Sequence, residues 1–290
     1  MNMIKNGVLP LTPDRRDRDF HKTFGAVTVF HDSYNTNFNP DLPDQNADGL
    51  PYGCTGYTQA EICGDEDKKL YDPLYTYDKG RLVDGTEGQE VGVQLKTSLK
   101  TTIVYGVQEK GENNADNNRR GAYYNVTATS DYFDGARSAM QKYSNLWGKP
   151  CSLSIASRWC LNFSSTGKTG IVKMPTAEQY SIYSLHNWKV NGWETIDGVP
   201  YLICKSWQGK NVGDGGWLYF SREIYNKLID DYFAGAFVLA PFTGNWMSVK
   251  LTTLEVIVGM LARAGYSAER LGKIAMQIQH AFFGKGIHHA

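Results

Sequence analysis

The residues best suited to chemistry in this 290-residue chain are a cysteine, a histidine and the polar groups placed around them in sequence. Cys54 follows Gly53 and leads into Thr58, Gln59, Ala60, Glu61 and Ile62, all adequate helix formers, so its thiol is expected in the first turn of a helix over Gly53–Cys63. The dipole and free N–H groups of a helix N-terminus stabilise a thiolate. An imidazole within hydrogen-bond reach would complete an activated nucleophile. His186, at the start of a predicted strand about 130 residues further on, is the candidate for that role. Gln45, nine positions before Cys54, brings a side-chain amide, and the stretch from Tyr201 to Gly209 brings Ser206 and Trp207. Taken singly, a cysteine is most often an inert core thiol and a histidine a packed or surface side chain. The ordered set Gln45, Cys54, His186, Ser206, Trp207 is more specific than any of its members.

At these residues the sequence resembles the papain-like cysteine peptidases (clan CA, family C1), and in pattern their bacterial and phage-encoded members. That family carries a Gln, then Gly-x-Cys opening its central helix, later His-Ala-Val-x-x-Val-Gly-Tyr, and then Lys-Asn-Ser-Trp-Gly-x-x-Trp-Gly. The corresponding segments here are Gly53-Cys54, Leu185-His186-Asn-Trp-Lys-Val-Asn-Gly192-Trp193 and Cys204-Lys-Ser-Trp207 through Gly213-Asp-Gly-Gly-Trp217. Thr12-Pro-Asp-Arg-Arg-Asp-Arg-Asp and Gly148-Lys-Pro-Cys-Ser-Leu-Ser-Ile extend the likeness to roughly residues 10–225.

The resemblance implies that Cys54 is the nucleophile and His186 the general base, later the acid. Gln45 and the Cys54 backbone N–H would form the oxyanion hole. It implies a polypeptide substrate lying against Gly53, Leu185 and Trp207, hydrolysis through a thioester, and no cofactor or metal. Two departures stand out. Aligning Lys205 and the later glycines puts Ser206 where the family has its imidazole-orienting Asn, whereas aligning Trp207 puts Lys205 there. A Ser hydroxyl can accept from an imidazole N–H and a lysine cannot. The Gln-to-Cys spacing is also lengthened by Asn46–Pro51. These departures support a second reading, a catalytically weakened papain-like module with a structural, assembly or binding role.

The elements that must position these groups suggest an α+β protein. Helical patterns prevail to about residue 148, at Gln89–Tyr105 (Val91, Leu95, Leu99, Ile103) and Asp134–Leu146 as well as at Cys54. Short strands follow at Cys151–Ala156, Trp188–Trp193, Pro200–Lys205 and Gly216–Ser221, so a helical half is expected to pack on a sheet half. Gln108–Gly121, with its paired Arg119 and Arg120, reads as a polar loop. The peptidase-like domain is placed at 1–225. A C-terminal helical extension at 226–290, with helices over Arg222–Tyr232, Leu251–Ala264 and Ala268–Phe283, would cap the domain or serve a homo-oligomer or assembly partner.

Composition narrows the classes further. Thirty basic and thirty acidic residues cancel, so no global field recruits nucleic acid. No apolar run reaches the ~20 residues of a membrane span, and the first residues lack the apolar core of a signal peptide. A cytoplasmic or virion-associated protein with five reduced cysteines is expected, a Cys151–Cys160 bridge being reserved for an exported one. Asp44-x-Asn46-x-Asp48-Gly49 matches the first half of a calcium loop, but Thr55 stands where the bidentate Glu is needed, so a turn is the expected structure.

Overall fold

The computed structural model describes residues 8–9, 11, 17–36, 43–113, 115, 118–126, 131–181, 183–231, 234–241 and 267. A long central helix, α2 (Cys54–Asp67), lies against a seven-stranded antiparallel sheet. Preceding it are β1 (Val8–Leu9), α1 (Phe20–Phe24) and β2 (Tyr34–Asn35); following it are α3 (Pro73–Asp84), β3 (Val93–Gln94), α4 (Leu95–Val104), β4 (Ala122–Asn125) and α5 (Tyr132–Trp147). The second part of the chain gives β5 (Leu153–Cys160), α6 (Ala177–Ser181), β6 (Tyr183–Ile196), β7 (Val199–Lys205), β8 (Trp217–Ser221), α7 (Arg222–Ile229) and β9 (Gly235–Ala240). The strand order is β4-β9-β5-β6-β7-β8, and β2 adds to β6 where β5 has ended. Gly192 permits that addition, because a Cβ there would come within 1.8 Å of the Tyr34 carbonyl oxygen.

Helices cover both faces of the sheet. On one face α2 and α4 pack Tyr57, Ala60, Cys63, Leu95 and Leu99 with Ala156, Phe237 and Leu239 from the strands. On the other, α5 and α7 pack Phe133, Met140, Tyr143, Tyr225 and Leu228 against Ile155, Trp159, Trp188, Val190 and Phe220. The α+β class is therefore observed, with α5 crossing to the face opposite α2.

Local chemistry explains where the element boundaries fall. α3 was not legible from apolar spacing, yet its ends carry strong signals: the Asp72 side chain accepts from the Leu74 N–H, Pro73 occupies the first turn, and Gly85 closes the helix at φ 69°. The helix expected over Gln89–Tyr105 begins only at Leu95, after turns at Thr86–Gln89. Arg120, read as part of a polar loop, is buried and ion-paired with Glu66 and Asp67 of α2. Its guanidinium also donates to the Cys63 carbonyl.

α2 is unusually polar for a central helix, and its charges are matched. Lys189 of β6 reaches Asp65 at 2.7 Å and Glu61 at 3.3 Å, and Lys205 of β7 reaches Glu61 at 3.0 Å. Asp65 also accepts from the hydroxyls of Thr36 and Ser152. Both ammonium groups are wholly buried. Burial drives the Lys205 pKa down, with Glu61 opposing that shift.

All five cysteines are buried. Cys151 and Cys160 stand at opposite ends of the β5 segment, too far apart along an extended chain for the bridge considered for an exported protein. The expected boundary at residue 225 falls inside α7, and β9 beyond it is a central strand paired with β4 and β5. The helices expected at Leu251–Ala264 and Ala268–Phe283 lie outside the described residues, as does most of the Thr12–Asp19 lead-in. Among the described residues no helix is long and apolar enough to cross a membrane.

Two outcomes follow. Lys189→Met should leave the Asp65 carboxylate short of its cation and lower unfolding stability by about 3–5 kcal/mol in denaturant titration. A chain ended at residue 225 should lack cooperative unfolding, because it loses the strand joining β4 to β5.

Candidate active site

Cys54 is the first residue of α2, after Gly53, which has no side chain to cap the helix. Gly53 is itself packed, since an added Cβ would lie 3.1 Å from both the Cβ and the carbonyl oxygen of Leu50. Cys54 has no solvent exposure and belongs to the cluster formed by Tyr57, Trp207 and Ala156, with Leu50 and Leu185 against it. Trp207 stacks on Tyr57 at 5.7 Å between ring centroids. Its indole N–H is shared between Thr58 Oγ1 and the Asn187 carbonyl, and Thr58 donates to the Cys54 carbonyl. The thiol thus sits at a helix start, as expected, beneath an apolar lid.

His186 lies on the other face of the sheet. β6 alternates regularly here, and the register with β5 pairs Ser157 with His186, Ile155 with Trp188, and Leu153 with Val190. That set faces α5 and α7. The imidazole meets Trp159 edge-on at 5.1 Å and Trp188 at 5.0 Å, and it is fully buried with neither ring nitrogen hydrogen-bonded among the described residues. Burial alone lowers its pKa to about 3. The opposite parity, Leu185, Asn187 and Lys189, faces α2. Leu185 is the β6 side chain that packs in the Cys54 cluster. In a strand a shift of one residue exchanges the faces, which separates His186 from Cys54 although the two are well ordered in sequence.

The remaining predicted groups do not converge on the thiol as drawn from the sequence. The Gln45 backbone N–H donates to the Trp207 carbonyl, which anchors the loop beside the site, but its side-chain amide donates to the Pro51 carbonyl at 2.7 Å. The lengthened Gln-to-Cys segment thus engages one of the two amide hydrogens within its own turn. Ser206 Oγ is buried and makes no hydrogen bond among the described residues, so it does not orient the imidazole there. Lys205 points toward α2 and Glu61, and Trp207 packs at the Cys54 cluster. Gly53 and Trp207 are buried and Leu185 is half-buried, so of the three proposed substrate contacts only Leu185 retains surface.

The acidic turn that resembles a calcium loop uses its carboxylates locally. Asp44 accepts from the N–H groups of Asn46 and Ala47, and Asp48 accepts from the Tyr57 hydroxyl. What sequence reasoning missed is the ion-pairing role of Lys189 and Lys205. Their signal was present, because both share strand parity with residues facing a helix that carries carboxylates at Glu61 and Asp65. His186 likewise shares parity with Trp188 and Val190, an apolar face.

No protein-family model matches this sequence, and no curated protein matches it. Solved structures do. Xylellain, a cysteine protease from Xylella fastidiosa, superposes with a TM-score of 0.61 at 15% identity, covering 82% of this chain and 96% of that one. Digestive procathepsin L 3 from Tenebrio molitor larval midgut gives 0.54 at 13% identity, covering 82% and 75%. Procathepsin B S9 from Trypanosoma congolense gives 0.53 at 12%, covering 82% and 87%. The chain has the papain-like cysteine protease fold. At these identities the likeness extends to architecture and does not carry the activity with it.

The buried neutral imidazole has a measurable consequence. Its folded-state pKa lies below the ordinary 6.5, so the unfolded chain binds more protons between pH 6.5 and about 3. Stability is full above that window and falls as pH drops through it, by about 1.4 kcal/mol per pH unit for one proton. His186→Leu should remove that slope from denaturant-derived stabilities measured between pH 6.5 and 4, while other groups keep theirs. An unchanged slope would place the imidazole in water.

Proposed function

We propose that this chain is a papain-like module that binds polypeptide without cleaving it, the weakened counterpart of the peptidase that its motifs resemble. The observation that carries this reading is the position of the His186 ring, which lies in an aromatic pocket on the sheet face away from Cys54. From that face the imidazole is not placed to take the Cys54 proton, the step that a papain-like hydrolysis requires. The Gln45 amide held by Pro51, the unbonded Ser206 hydroxyl and the Lys205–Glu61 pair support the same reading.

One observation favours the peptidase reading. Cys54 opens a helix and is backed by Trp207, as the resemblance implies. For that reading to hold, the imidazole must leave its pocket and reach the face occupied by Leu185, and the apolar lid over the thiol must open.

The two readings differ in a direct assay. Incubation with a mixture of unrelated peptides, followed by mass spectrometry, should give no cleavage above that of Cys54→Ala. Alkylation of Cys54 should be slow at pH ~6, where an ordinary thiol is barely ionised, and identical in His186→Ala. Cleavage or rapid alkylation that disappears in either variant would establish the peptidase.

A further inference from the structure

The core around His186 holds three buried polar atoms that make no hydrogen bond among the described residues: both imidazole nitrogens and the indole nitrogen of Trp159. Burying polar atoms unpaired costs free energy, which the packing around the ring has to offset. No counter-charge faces the ring. Trp159 and Ser157 of β5, Trp188 of β6 and Phe163 in the turn after β5 are uncharged. Arg158, the charged residue of β5, has the opposite parity and pairs with Asp231. Among the charged groups of α5 and α7, Arg137 and Arg222 both pair with Asp134. Burial keeps Tyr143, Tyr180 and Tyr225 protonated, and likewise the thiols of Cys151, Cys160 and Cys204.

The end of β6 that carries His186 has one strand neighbour. Its pairing with β5 runs from Tyr183 to Val190, whereas its pairing with β7 begins only at Lys189. Side-chain contacts on the α2 face hold this end as well. The Asn187 carbonyl accepts from the Trp207 indole and from the Thr58 hydroxyl, which also donates to the Cys54 carbonyl. Leu185 packs in the cluster that covers the thiol. Residues 185 and 187 flank 186 in the chain, so the imidazole cannot leave its pocket without disturbing both of these contacts.

We infer that the single-neighbour end of β6 is an acid-operated cover for Cys54: protonation expels the His186 ring from its aromatic pocket, and withdrawal of Leu185 and Asn187 with it opens the apolar lid over the thiol. The driving force is the difference between two environments. In water the imidazole takes a proton at its ordinary 6.5, whereas in the pocket burial keeps it neutral down to about 3. Acid therefore favours the state with the ring in water. The gain is small near pH 6 and reaches about a hundredfold at pH 4.5, two units below the ordinary value. The opening is local, since the rest of the sheet is paired on both sides of β5 and β7. The inference names the regulation of the site treated above and rests on the binding reading in one respect, that the thiol is covered at neutral pH.

The test treats the full chain with a pyridyl disulfide, a reagent whose own protonation keeps it reactive toward thiols in acid, at pH 7.5 and at pH 4.5. Peptide mass spectrometry then locates the modified cysteines. The rate at Cys54 is read as the ratio of its value at the lower pH to that at the higher, so that the reagent's own pH dependence cancels between chains. That ratio should be at least about tenfold larger in wild type than in His186→Leu. His186→Phe, which keeps a ring in the pocket but cannot titrate, should match His186→Leu and serves if leucine packs poorly, with melting curves verifying each fold. Cys63, Cys151 and Cys204 should stay protected in every chain. Equal ratios in wild type and variants, or modification of all the cysteines together as in global unfolding, would overturn the switch. Cleavage of mixed peptides at pH 7.5 would overturn the binding reading, and the ratios would still decide the switch.

Discussion

Two lysine ammonium groups held under the central helix are the constraint around which this structure is arranged. Lys189 and Lys205 come from neighbouring strands, and Glu61 and Asp65 lie one helical turn apart on α2. Buried charges are tolerated only when matched in position and hydrogen-bonded, because desolvation costs several kcal/mol per ion. The match fixes how α2 is rotated about its own axis and where it sits along β6 and β7. With the helix held in that setting, Thr58 and Gln59 meet Asn187 and Ser154, and Cys54 is delivered to the apolar cluster beside Trp207. A wholly apolar contact would bind the same surfaces with less control over register, since the hydrophobic effect is non-directional.

The same alternation that directs Lys189 at the helix turns His186 away from it. Residues 185, 187 and 189 form one side of the strand, and residues 186, 188 and 190 form the other. Trp188 is stacked on Trp159 at 4.8 Å and packed on Phe220, so its side of the strand is committed to the core. His186 cannot face the thiol without a local break in that pattern. The papain-like architecture and the catalytic arrangement are therefore separable properties of this chain. The architecture depends on packing and matched charges, whereas the arrangement depends on the orientation of a single side chain.

Much of the fold was legible because its signals are local. Gly53-Cys54 before a run of helix formers, the ladder at residues 151–156 and the short strands from 188 to 221 each declare their element. α3 escaped detection because its evidence lies in its caps, Asp72, Pro73 and Gly85, rather than in apolar spacing. Arg120 was misread because a charged residue in a polar run gives no sign of the carboxylates that wait for it on a distant helix. The site was less legible for a similar reason. Chain order gives the sequence of Gln45, Cys54, His186 and Ser206, but not strand parity or which carbonyl accepts the Gln45 amide. Parity was recoverable from Trp188 and Val190. The Gln45–Pro51 bond was not, since it depends on how the longer turn closes.

The position of β9 bears on how the protein is made. The sheet's strand order sets β9, among the last described residues, between β4 and β5, which emerge from the ribosome far earlier. Until residue 240 is available, β4 has no neighbour in the sheet and β5 presents an open edge, the kind of surface that pairs with other chains. Such long-range pairing is slow to form. The nascent chain must carry an incomplete sheet from the completion of β4 until β9 is added, which makes that interval its period of greatest exposure to aggregation.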